Sequence, residues 1–156
     1  MQVRKVILVP ALLAIMLGSG VPAALAHEHG HSHEKSAPQK LVLKNGQKWA
    51  TDEVLRQAMS RIRTEMAVSQ PGNQGERASL QQYQAMAKKV NEQLAFVIQN
   101  CKLDKEADAM LHLVLADIIA GVDAMSGQNW GDARQGAKKV KHALENYATY
   151  FNHPGW

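Results

Sequence analysis

Four of the chain's seven histidines, His27, His29, His31 and His33, fall within the run HEHGHSHE. Neutral imidazole is a borderline ligand for Cu(II), Ni(II) and Zn(II), and alternation lets several rings reach one ion without a preformed pocket. The run follows Ala24-Leu25-Ala26, a small-x-small pattern that closes a segment with Arg4 and Lys5 at its start and an apolar stretch over 6–17. Residues 1–26 therefore read as a cleaved secretory signal, too short in its apolar part for a membrane span. A cut after Ala26 would free an amine two residues before His29. Amine, two amides and one imidazole then form a square-planar nitrogen set suited to Cu(II) or Ni(II). The same histidines also fit a solvated polar tail that binds metal weakly, as any such tract would.

A second group of candidate ligands is softer. Cys101 is the only cysteine, and in an exported chain it leaves three roles: a buried thiol, a metal ligand, or a link to a second copy in a homodimer. Met59, Met110, His112 and His153 are expected near the same end of the fold as Cys101, where thiolate and thioether would suit Cu(I) and imidazole would suit copper or zinc. Each also has a plainer reading. Cys101 sits on an apolar seam, methionines fill gaps in cores, and His112 lies at the margin of its helix's apolar stripe. His142 falls on a solvent face.

Catalysis finds little support in the chain. There is no serine elbow, phosphate-cradling glycine loop or cysteine with an evident base, so a non-enzyme is expected. Removal of Arg4 and Lys5 with the signal reduces the formal charge from +4 by two, too small an excess to argue for nucleic acid. No membrane insertion is expected after cleavage.

The elements that would position these residues are helices. Of 156 residues, 46% are hydrophobic but only 5% aromatic, a composition suited to one domain of aliphatic helix packing. Leu80, Tyr83, Ala87, Val90, Leu94, Val97 and Cys101 recur at three- and four-residue steps, the seam of a bundle helix. Asp104 then opens a new acidic first turn, which calls for a reversal. Helix one is expected from a Thr51 cap to about Val68, with Leu55, Met59, Ile62 and Met66 inward. Helix two follows a Ser79-x-x-Gln82 capping box, helix three runs over about 105–126, and helix four follows an Asn129 cap. Ala107, Leu111, Val114, Ile118, Val122 and Met125 line helix three, and Ala133, Ala137, Val140, Leu144, Tyr147 and Phe151 line helix four. The expected fold is all-α, an antiparallel up-down-up-down four-helix bundle over 51–156, preceded by a His-rich tail and linker over 27–50. An Asn45-Gly46 turn and an apolar Leu41-Val42-Leu43 patch with Trp49 would pin that linker to the bundle.

Met59 in helix one, with the stretches ADAMLHLVLADIIAGVDAM and WGDARQGAKKVKHALENYATYF, resembles the soluble b-type cytochromes of the bacterial periplasm. In that family a methionine early in helix one and a histidine late in helix four hold the haem iron. Met59 matches the first. Alignment through Tyr147 puts Ala148 at the second, there is no Cys-x-x-Cys-His for covalent haem, and His153 could substitute only if the helix were extended or shifted. The resemblance implies the scaffold without its cofactor. The leading reading is thus a periplasmic metal-binding, buffering or resistance protein, for copper above all, with zinc and nickel as alternatives. A haem-binding electron carrier and a structural or regulatory bundle are its rivals.

Overall fold

The helices begin where side chains can satisfy the free amides of a first turn. In the computed structural model, which describes residues 40–68 and 78–156, they are α1 (Glu53–Val68), α2 (Leu80–Asn100), α3 (Lys105–Ser126) and α4 (Trp130–Tyr150). The signal segment, the histidine run and the loop over 69–77 lie outside the described residues. Ser79 and Gln82 form the reciprocal capping box at α2. Asp104 accepts from Glu106 N–H and Ala107 N–H at α3, and Asn129 accepts from Gly131 N–H and Asp132 N–H at α4. At α1 the cap is Asp52, not Thr51: Asp52 Oδ1 accepts from Leu55 N–H at 2.7 Å. Thr51 Oγ1 instead donates to the Asn152 carbonyl at 2.6 Å.

Among the described residues the fold is all-α, with four helices and no strand beyond two isolated bridges. α3 packs most closely on α4, α1 on α2, and α2 on α3. The expected seams are the buried faces, with Leu55, Met59, Ile62, Val90, Val97, Leu111, Ile118 and Val122 at the centre of one core. By length and composition α3 is apolar enough to cross a membrane. Its buried residues, from Ala107 to Met125, pack it into the core shared with α2 and α4, which by itself calls for such a composition.

Two buried residues absent from the expected seams set the closest approach. A Cβ on Gly121 would come within 2.6 Å of Val140 Cγ2 and 2.7 Å of the Gly136 carbonyl oxygen. One on Gly136 would fall on the Gly121 carbonyl oxygen and lie 2.9 Å from Ala124 Cβ. The backbones of α3 and α4 therefore touch where both lack side chains.

The segment before α1 is sewn to the end of α4. Trp49 N–H donates to the Tyr150 carbonyl and Asn152 N–H donates to the Trp49 carbonyl, both at 2.8 Å. Lys48 Nζ reaches the Ala148 carbonyl at 2.6 Å, an otherwise unsatisfied acceptor of the last turn. The Trp49 ring is buried, and its Nε1 donates to the Val42 carbonyl. Asn45 and Gly46 take φ values of 52° and 81° between reciprocal Lys44 and Gln47 hydrogen bonds, the tight turn that an Asn-Gly pair favours. Of the Leu41-Val42-Leu43 patch, only Leu41 packs against the core; Val42 and Leu43 are exposed.

Candidate functional site

Polar and soft side chains gather where the start of α1, the end of α2 and the end of α4 meet. α2 ends at Asn100, so Cys101 adopts an extended conformation (φ −67°, ψ 137°) and is half-buried. Its Sγ donates to Asp52 Oδ1 at 3.7 Å, while Asp52 Oδ2 accepts from Lys102 N–H at 2.6 Å. One carboxylate thus caps α1 and holds the backbone just after α2. Burial, and then the Asp52 charge and hydrogen bond, push the Cys101 thiol up to about 12. A thiol held protonated at neutral pH is a poor nucleophile and a poor soft-metal ligand.

Beyond α4 the chain turns back, and His153 enters a second network. Its Nδ1 lies 3.1 Å from the Tyr147 hydroxyl and its Nε2 3.3 Å from Ser60 Oγ. In a neutral ring one nitrogen donates and the other accepts. Tyr147 is fully buried and stacks on Phe151 with ring centroids 5.2 Å apart. Trp156 closes the cluster, with centroids 4.8 Å from Tyr147 and 4.9 Å from His153. Burial raises the Tyr147 hydroxyl and, together with the Arg56 and Arg63 charges, lowers the His153 ring below its ordinary value. Ser60 was invisible in the sequence, since nothing local marks a serine that meets a histidine 93 residues away.

The other expected ligands are dispersed. Met59 is fully buried in the core and Met110 partly buried against it. His112 has a 70% exposed side chain, and its Nδ1 is bonded to the Asp108 carbonyl on its own helix at 2.8 Å. His142 is equally exposed and lies 3.5 Å from Glu145. Among the described residues no three His, Cys, Asp or Glu side chains are grouped as a metal site. His27, His29, His31 and His33 lie outside the described residues.

The His153 network makes a pH prediction. An unfolded chain takes up a proton near the ordinary histidine value of about 6.5, before the folded ring does. Stability from this ring is full above that pH and is lost as the pH falls from there toward the lower folded value. Denaturant midpoints should therefore drop more between pH 7.5 and 5.5 in the parent than in His153→Gln, where that group no longer titrates. Parallel pH profiles for the two proteins would refute the assignment.

The His153 ring offers no open nitrogen while it bridges Tyr147 and Ser60, and Ala148 occupies the helix-four position at which the cytochrome-like alignment calls for histidine. No family model matches the chain, and neither does any curated protein or solved structure compared with it.

Proposed function

We propose that this is an exported, periplasmic metal-ion-binding protein that captures or buffers copper, with zinc and nickel as alternatives, through His27, His29, His31 and His33. The observation that carries this reading is the density of imidazole directly after a small-x-small cleavage pattern. The chemistry of the bundle end favours the tail over the soft residues. Cys101 is held as a thiol beside a carboxylate, His112 faces solvent, and the His153 ring is engaged on both sides.

In this reading the carrier is an antiparallel up-down-up-down bundle. Supporting it, Asp52 before α1 meets Lys102 after α2, Gln84 early in α2 donates to the Gly127 carbonyl after α3, and Lys139 of α4 pairs with Asp117 of α3 at 3.4 Å. The core is contiguous and mainly aliphatic, and the bundle is expected to fold without metal.

Deletion of residues 27–34 should leave helicity and the melting temperature within the scatter of the parent while abolishing Cu(II) binding in calorimetric titration. Binding should also weaken as the medium acidifies through about pH 6, because imidazole must be neutral to ligate. Retained stoichiometric Cu(II) binding in the deletion, or affinity that stays flat from pH 8 to pH 5, would exclude the tail as the site. Acetylation of the mature amino terminus should remove only the square-planar spectral species.

A further inference from the structure

A groove of about 620 Å³ opens among α1, α2 and α4, within the roughly 300–1,000 Å³ of small-molecule sites. Its floor is apolar: Met66, Met86 and Leu144 retain 9%, 4% and 6% exposure, whereas Leu55, Met59 and Ile62 deeper in the same core retain none. Small side chains, Ala137 and Ala148, leave the space above that floor.

The rim is cationic. Arg134, Lys138 and Lys141 stand at i, i+4 and i+7 along α4, on one face of the helix, and Arg63 of α1 stands across from them. Among the described residues none of these four pairs with a carboxylate. The neighbouring Lys139, on the side of α4 that meets α3, does pair, with Asp117. Among the described residues Glu145 is the one carboxylate of the lining, and it sits beside His142. The Arg63 guanidinium lies 4.5 Å from the centre of the Trp156 ring, an arrangement that fixes its plane and leaves its edge N–H donors for an oxyanion.

We infer that this groove binds one amphiphilic anion, an apolar body carrying a carboxylate, sulfonate or phosphate head. The body lies on the floor formed by Met66, Met86 and Leu144, and the head meets Arg63, Lys138 and Lys141. Charge complementarity selects this occupant. A neutral apolar molecule would leave four unpaired cations at the edge of a desolvated surface, and a small inorganic anion would leave the floor wet.

The mature full-length chain is titrated with anilinonaphthalene sulfonate and, in parallel, with phenylnaphthylamine, the same apolar body without the sulfonate. One equivalent of the anionic probe should bind roughly tenfold or more tightly than the neutral one, as expected for at least one charge-assisted hydrogen bond, and added salt should weaken it. The double variant Lys138→Glu/Lys141→Glu should lose roughly that factor for the anionic probe alone. Ala137→Phe, which fills the space above the floor, should weaken both probes. Both lysines are exposed and unpaired among the described residues, so melting of the double variant should match the parent; the Ala137→Phe and salt arms stand independently of it. Deleting residues 27–34 should leave probe binding unchanged, which separates this site from the metal-binding tail. Equal affinity for the two probes, or an unaltered double variant, would overturn the inference. So would sedimentation with vesicles of anionic phospholipid in the absence of monomeric probe binding, which would mark a membrane-surface patch. A probe affinity that falls as protein concentration rises would likewise overturn it, in favour of a second copy of the chain.

Discussion

Gly136→Ala is expected to lower the melting temperature by roughly 10 °C, the equivalent of about 2–3 kcal/mol in a domain of this size. Alanine is the better helix former by about 1 kcal/mol, so on an isolated α4 the change would stabilise. In the folded protein the new methyl meets the Gly121 carbonyl oxygen and Ala124 Cβ on α3. Neither is the free end of a side chain, and neither can rotate away. The two helices must separate, and the apolar contacts flanking the crossing loosen with them. Gly127→Ala is the control. Its φ of −68° suits any residue and its Cβ would rest 3.4 Å from the Ala124 carbonyl, so its stability should change by no more than about 0.5 kcal/mol. Equal melting of the two variants would mean that α3 and α4 are not in backbone contact.

Asp52→Ala should cost about 2–5 kcal/mol. Loss of a helix cap accounts for about 0.5–2 kcal/mol, and loss of a charged acceptor for the Lys102 N–H for about 1.5–3 kcal/mol. The same substitution removes the negative charge and the acceptor that, after burial, hold Cys101 as a thiol. Alkylation of Cys101 by iodoacetamide at pH 8, under conditions where the protein stays folded, should therefore accelerate. Asp52→Asn separates the two effects. Asparagine can still cap α1 through its side-chain oxygen, so this variant should lose less stability than Asp52→Ala while still alkylating faster than the parent. An unchanged alkylation rate in Asp52→Asn would show that the carboxylate does not hold the thiol.

The contrast between these residues shows what can be read along a chain. Ser79 and Asn129 were legible as caps, and Asp104 as the opening of an acidic first turn, because each acts on amides two or three residues away. Thr51 was misassigned because its hydroxyl is claimed by the Asn152 carbonyl, 101 residues distant, which leaves the cap to Asp52. At Cys101 the seam runs one residue past the helix, although the half-buried thiol still packs against the core. Helical spacing places a residue on a face only while the helix lasts, and α2 stops at Asn100. Gly121 and Gly136 carry no hydrophobic signal at all, so periodicity passes over the two positions where α3 and α4 come closest. Residues that belong to the candidate site were equally hidden. His153 was visible as a candidate, but its partners Ser60 and Tyr147 lie on different helices, and a serine on a helix has no sequence mark of its role.

By itself, the sequence determined the four helices, the caps of α2 and α4 and the apolar faces that meet in the core, because hydrogen bonds across one turn and a 3.6-residue period are local properties. It also carries the histidine run, whose chemistry depends on composition more than on a built pocket. Only the tertiary structure decided that Asp52 serves two helices, that burial and then the Asp52 carboxylate hold Cys101 as a thiol, that His153 is enclosed by Tyr147 and Ser60, and that Arg63 and three α4 cations surround one apolar groove. The reason is physical: charge, burial and hydrogen-bond partners depend on distances in space, and these side chains are brought together from distant parts of the chain by the packing of the helices.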